Sequence, residues 1–190
     1  MKRNSFSLTF QGSFPSHIRQ NVEEVFSVYK VLHDCNIIVS RRKISGSTMQ
    51  AQPVVTPQAV LTGFDTYKLT IAEYVRDSDS LVVDNLPSDV IKGWLAHEFG
   101  HIVDYESRSV FGMALYGIQY ILSKSYARQV ESEADIIAVQ HGFYDSVRKT
   151  KEFLLSDEIA SKYRDKLMRN YMSIEDLDVC NLNWSGRLPA

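Results

Sequence analysis

The stretch from Asn85 to Asp104 restricts this chain more than any other. Asn85-Leu86-Pro87-Ser88-Asp89 reads as a helix start, with Ser88 as its cap and Asp89 adding a negative charge to the first turn. The helix then runs to about Asp104 and carries His97-Glu98-Phe99-Gly100-His101. At 100° per residue, His101 falls about 40° from His97, and Glu98 about 100° from it. Ile91, Leu95, Phe99 and Ile102 fall at about 120–200°, on the opposite side. Any fold built on this helix must bury that apolar back and turn the histidine face to a cleft. Imidazoles four residues apart project together and can reach one ion. Glu98 lies beside the ion position rather than on it, which suits a general base.

Two imidazoles do not complete a catalytic zinc site, which usually has three protein ligands and an open position. The third is sought in Ala127-Arg128-Gln129-Val130-Glu131-Ser132-Glu133-Ala134-Asp135. Asp135 falls about 40° from Glu131 on the wheel, whereas Glu133 falls at about 200°. Glu131 is therefore the expected ligand and Glu133 the solvated residue. Asp135, one turn on, is placed to hydrogen-bond a ligating histidine and fix its tautomer. Ala127, Ala134 and Ala138 flank the Glu131 face and permit a close approach of the two helices. The competing reading is an acidic, solvated helix face.

Ahead of residue 86 the pattern is mixed. Phe6 to Phe10 alternates like a half-buried strand. A helix opens at Pro15-Ser16, with Ile18, Val22, Val25, Phe26, Tyr29 and Leu32 on one stripe. Asn36 to Ser40 reads as a strand and Ser45-Gly46-Ser47 as a turn. The segment from Met49 to Gly63, with Pro53 and Pro57, is poorly determined beyond a short strand at Val54-Val55. Tyr67 to Val75 and Leu81 to Val83 read as strands. From about Phe143 two or three helices follow. The expectation is one α+β domain over residues 1–190: a strand and helix part at about 1–86, then active-site and C-terminal helices at about 87–180.

Composition narrows the function. Lys+Arg is 21 against 23 Asp+Glu, so the basic excess of a nucleic-acid binder is missing. No run of 18 apolar residues is present to span a membrane, and the N-terminus lacks a signal-peptide core. These point to a cytoplasmic chain. Cys35 and Cys180 are far apart and in no CxxC pair, so both are expected as free thiols.

His97-Glu98-Phe99-Gly100-His101 followed by Glu131-Ser132-Glu133-Ala134-Asp135 resembles the gluzincin zinc metallopeptidases, over roughly residues 60 to 145. The Glu-x-x-Ala-Asp form is most similar to the HtpX-like peptidase domains and the soluble minigluzincins; an ImmA/IrrE-like regulatory peptidase is the related alternative. The resemblance implies a small zincin-like fold holding one zinc per chain through His97, His101 and Glu131. It also implies Asp135 supporting a histidine and Glu98 as base in the hydrolysis of a peptide or protein substrate. It further implies a strand beside the cleft that holds substrate extended; Tyr67 to Val75 is the candidate, with Leu81 to Val83 next inward. A module that keeps fold and metal without hydrolysis is the competing class, against which an intact Glu98 weighs.

Trp94 is expected in the core more than in the cleft. His141, Tyr144 and Arg148 are candidates to assist an oxyanion but are more readily structural. The segment Cys180 to Ala190 is read as an aperiodic tail, either packed on the helices or lying over the zinc position with Cys180 as a ligand.

Overall fold

The β-branched runs and helical stripes of the first half build a small sheet with one helical crossover. The computed structural model describes residues 7–44, 46–159 and 161–185. Its strands are β1 (Leu8–Gln11), β2 (Asn36–Arg41), β3 (Met49–Pro53) and β4 (Thr66–Ile71), in the order β1-β2-β4-β3. β1, β2 and β4 run parallel, and β3 lies antiparallel to β4 at the edge. Helix α1 (Ser16–Val28) links β1 to β2 and buries Ile18, Val22 and Val25, as its stripe predicts. Tyr29 and Leu32 are buried just beyond its end, Leu32 on a 3-10 turn, Lys30–Asp34. Phe6 and Ser45 lie outside the described residues.

The helices that follow are α2 (Pro57–Thr62), α3 (Ser88–Glu106), α4 (Val110–Leu122), α5 (Lys124–Gln140), α6 (Tyr144–Leu155), α7 (Ser161–Asn170) and α8 (Ile174–Ser185). A mixed sheet with a helical C-terminal half is the expected α+β arrangement. Ile37, Val39, Leu69 and Ile71 of the sheet join Ile91, Leu95, Phe99 and Ile102 of α3 in one hydrophobic cluster.

Several local expectations are corrected. The strand read over Tyr67 to Val75 ends at Ile71; beyond it only Tyr74 bridges Val82. Leu81 to Val83 is no strand: Val83–Asn85 is a 3-10 turn. Val54-Val55 lies past the end of β3, and Val55 is exposed. The edge beside α3 belongs to β3, in the segment its prolines obscured. The Thr48 carbonyl accepts from the Ala72 N–H just past β4, and the Val54 N–H donates to the Thr66 carbonyl of β4, so the residues between them alternate and Ala51 and Pro53 turn their nitrogens outward. Pro53 therefore costs the sheet no hydrogen bond. Thr56 accepts from the Ala59 N–H and Pro57 opens α2, a cap signature the sequence contains. Ser88 does not cap α3; Pro87 holds that position, and the Ser88 hydroxyl donates to Asn21.

Helix α3 packs against α1, β3, α5 and α6. Two glycines allow this. A Cβ on Gly93 would sit 2.1 Å from the Ser146 carbonyl oxygen of α6, and one on Gly100 would sit 2.5 Å from the Ala134 carbonyl oxygen of α5. Backbone thus meets backbone where the two motifs face each other, with Ala134 and Ala138 fully buried at the contact.

Candidate metal centre

The close α3–α5 contact brings His97, His101 and Glu131 together, all three buried. His97 Nε2 lies 3.1 Å from Glu131 Oε2 and 3.1 Å from His101 Nε2. His101 Nε2 lies 3.6 Å from Glu131 Oε2. Ligands held at roughly 2.0–2.1 Å around a tetrahedral zinc stand about 3.3 Å apart, so these three atoms span one face of such a tetrahedron. Two imidazole nitrogens and one carboxylate oxygen are also a donor set that zinc takes. The group could hold a metal ion. Glu133 is exposed and turned away from it.

The remaining charges favour a cation. Burial acts to lower the basicity of His97, but Asp135 and Glu131 outweigh it and push its pKa up to about 10. Burial also acts to raise the Glu131 carboxyl, yet the two histidines hold it well below the usual carboxylate range. The anionic charge that stabilises a proton here is available to a dication instead.

Asp135 Oδ1 lies 2.9 Å from His97 Nδ1, so the carboxylate takes the far nitrogen and leaves Nε2 for the ion. Its other oxygen, Oδ2, accepts from the Lys151 ammonium at 2.7 Å, which also donates to the Met172 carbonyl at 2.9 Å. Burial would raise the Asp135 carboxyl, but Lys151 and His97 together bring it below its ordinary value. Sequence reasoning missed Lys151. The available signal is its position on α6: Lys151 shares a buried stripe with Val147 and Leu154, at i, i+4 and i+7. A lysine on such a stripe needs a buried partner. Also missed was Tyr120 of α4, whose hydroxyl donates to Glu131 Oε1.

Glu98 lies beside the group. Its Oε2 accepts from the Ala51 N–H of β3 at 2.7 Å, and burial raises its carboxyl above the ordinary range. The Ala51 carbonyl faces the Tyr105 hydroxyl at 3.4 Å. The outward edge of β3 is thus tied to α3 through Glu98 and Tyr105.

These groups sit in a cleft of about 700 Å³. Gln50, Ala51 and Gln52 line one side; Tyr116, Tyr120, Tyr163 and Tyr171 make much of the rest. Trp94 is both buried in the core and part of the cleft lining. His141, Tyr144 and Arg148 do not line it. His141 stacks on Tyr29 at 4.2 Å, Tyr144 donates to Asp178, and Arg148 pairs with Glu152 and Asp178. Both cysteines are free thiols, and burial pushes Cys35 up to about 12. Cys180 is not in an aperiodic tail: it lies on α8, which packs on α5 and α6, and it is no member of the ligand group. Residues 186–190 of that segment lie outside the described residues. No helix among the described residues is long and apolar enough to cross a membrane.

Comparison of the chain with protein-family models, with curated proteins and with solved structures finds no match.

Proposed function

We propose that this protein is a zinc-dependent peptidase of the gluzincin kind, with His97, His101 and Glu131 as metal ligands and Glu98 as general base. The observation that carries the reading is the convergence of three ligand atoms within 3.6 Å of one another on the wall of a cleft, beside a second buried carboxylate, Glu98. A structural zinc is usually closed by four protein ligands, often cysteine; this group has three. Zinc bound there supplies a Lewis acid for the scissile carbonyl and a water of near-neutral pKa. Glu98 accepts that water's proton and passes it to the leaving amine. Its raised pKa brings it closer to the working range of an acid–base shuttle. Asp135 and Lys151 hold the His97 ring in its ligating orientation. An extended substrate lies along β3, where its backbone takes over the Ala51 N–H and releases Glu98 for proton transfer.

The test compares wild type with Glu98→Gln on a quenched-fluorescence peptide library, with zinc content measured in both. The reading requires equal zinc and a fall in hydrolysis of roughly 100- to 10,000-fold. Equal turnover in the two proteins refutes the mechanism. Zinc binding without hydrolysis in wild type leaves a metal-binding module and refutes the enzyme.

A further inference from the structure

Among the described helices of ten residues or more, α4 is the one without a charged residue: Ser109 to Ser123 contains none. Its inner side is occupied. Met113 and Tyr116 are buried, and Tyr120 reaches Glu131. Its outer side is apolar as well, and no described residue covers it. Phe111, Leu115, Ile118 and Leu122 fall within a stripe about 60° wide, with Ile121 at its margin. Phe111, Ile121 and Leu122 are 80%, 82% and 79% exposed. A contiguous apolar patch of this kind marks an interaction surface rather than ordinary scatter.

The rim of the patch identifies the partner. At the C-terminal end of α4, Lys124 and Arg128 of α5 and Arg169 of α7 line a shallow depression with Ser125 and Asn170. All three cations are exposed, and no acidic residue lines the depression. None of them has a carboxylate partner among the described residues. Three unpaired cations gathered in a chain of net charge −2 are a local departure from its overall balance.

We propose that α4 docks on an anionic phospholipid surface, with the Phe111–Leu122 stripe in the apolar boundary and Lys124, Arg128 and Arg169 on the headgroups. A helix of 13 residues is about 20 Å long, too short to cross a hydrocarbon layer of about 30 Å, so it lies in the plane of the interface. A second copy of the chain matches the surface less well. Parallel pairing of α4 with itself brings the two cation clusters together. Antiparallel pairing sets each cluster at the partner's other helix end, where Asp104 is already paired with Arg108 at 2.8 Å and Glu106 already accepts from the Tyr67 hydroxyl. Headgroup phosphates supply the missing charge in either orientation. Since Gly117, Tyr120 and Ile121 also line the cleft, docking sets the cleft mouth beside the lipid surface.

The experiment is co-sedimentation of the full chain with phosphatidylcholine vesicles, with and without phosphatidylglycerol, at low and high salt. Wild type partitions onto the mixed vesicles more than onto phosphatidylcholine alone, and salt weakens it. Phe111→Ser/Leu122→Ser lowers the partition coefficient more than 10-fold. Lys124→Gln/Arg128→Gln lowers it about 30-fold on the anionic vesicles only. Every altered side chain is exposed and none lines the cleft, so zinc content and thermal midpoint stay at wild-type values. Wild type left in the supernatant at low salt overturns the proposal, as does partition unaffected by both variants. A dimer in sedimentation equilibrium, dissociated by Phe111→Ser/Leu122→Ser, with no vesicle binding assigns the stripe to a second copy and also overturns it.

Discussion

Lys151→Met tests how far the metal centre depends on a residue that touches no ligand. The lysine and Asp135 side chains are 10% and 2% exposed, and their charged atoms are 2.7 Å apart. Methionine keeps much of the lysine stem but removes the charge, leaving Asp135 with His97 Nδ1, 2.9 Å away, as its remaining charged partner. Two costs follow. Breaking a buried ion pair by deleting one member costs about 3–5 kcal/mol of stability. A carboxylate that has lost its anchor orients the imidazole less well, which lowers metal affinity by about 10- to 100-fold. Urea unfolding of the metal-free protein reads the first cost and chelator competition for zinc reads the second. The expected result is a lower midpoint at unchanged slope, together with weaker zinc binding. Asp135→Asn combined with Lys151→Met removes both charges, so it recovers part of the stability without recovering zinc affinity. A single Lys151→Met variant within about 0.5 kcal/mol of wild type, the range of ordinary surface substitutions, and with unchanged zinc affinity would show that the pair neither supports the fold nor positions His97.

Other substitutions separate the parts of the site. Glu131→Ala abolishes tight zinc binding while Glu133→Ala leaves it intact; zinc retained at stoichiometry by Glu131→Ala reverses the ligand assignment. Gly100→Ala puts a Cβ against the Ala134 carbonyl, costs about 1–3 kcal/mol by overpacking, and weakens zinc binding by moving α5 away; a thermal midpoint equal to wild type contradicts the close contact. The metal-free protein has a two-sided pH profile. The depressed carboxyls of Asp135 and Glu131 contribute stability that is present above their ordinary values of 3.8 and 4.5 and is lost as the pH falls below them. The raised His97 contributes stability that is full below 6.5 and is lost as the pH climbs towards about 10. Urea midpoints therefore peak between about pH 5 and 6.5, and a midpoint that rises steadily from pH 6 to 9 in the absence of metal refutes the assignment of these charges.

Much of the site is legible in the sequence because its motifs are local. Helical periodicity alone puts His97 and His101 on one face, sets Glu98 beside them, and places Glu131 with Asp135 but apart from Glu133. The same holds for the stripe of α1 and for the helical second half. The edge strand was not legible. Met49–Pro53 has weak strand propensity and ends in proline, and it is a strand because β4 pairs with its inner side and α3 covers its outer one. Tyr67 to Val75 looks the better edge by composition, yet Thr66–Ile71 lies between β2 and β3, since strand order depends on contacts between distant segments. Lys151 and Tyr120 likewise acquire their roles from partners on α5, 16 and 11 residues away. Periodicity reports which side of its own helix a residue occupies. It carries no information on what a neighbouring helix presents there, and that is decided by packing: at Gly93 and Gly100 the missing side chains let α6 and α5 approach closely enough for the α5 carboxylates to meet the two histidines and for Lys151 of α6 to meet Asp135.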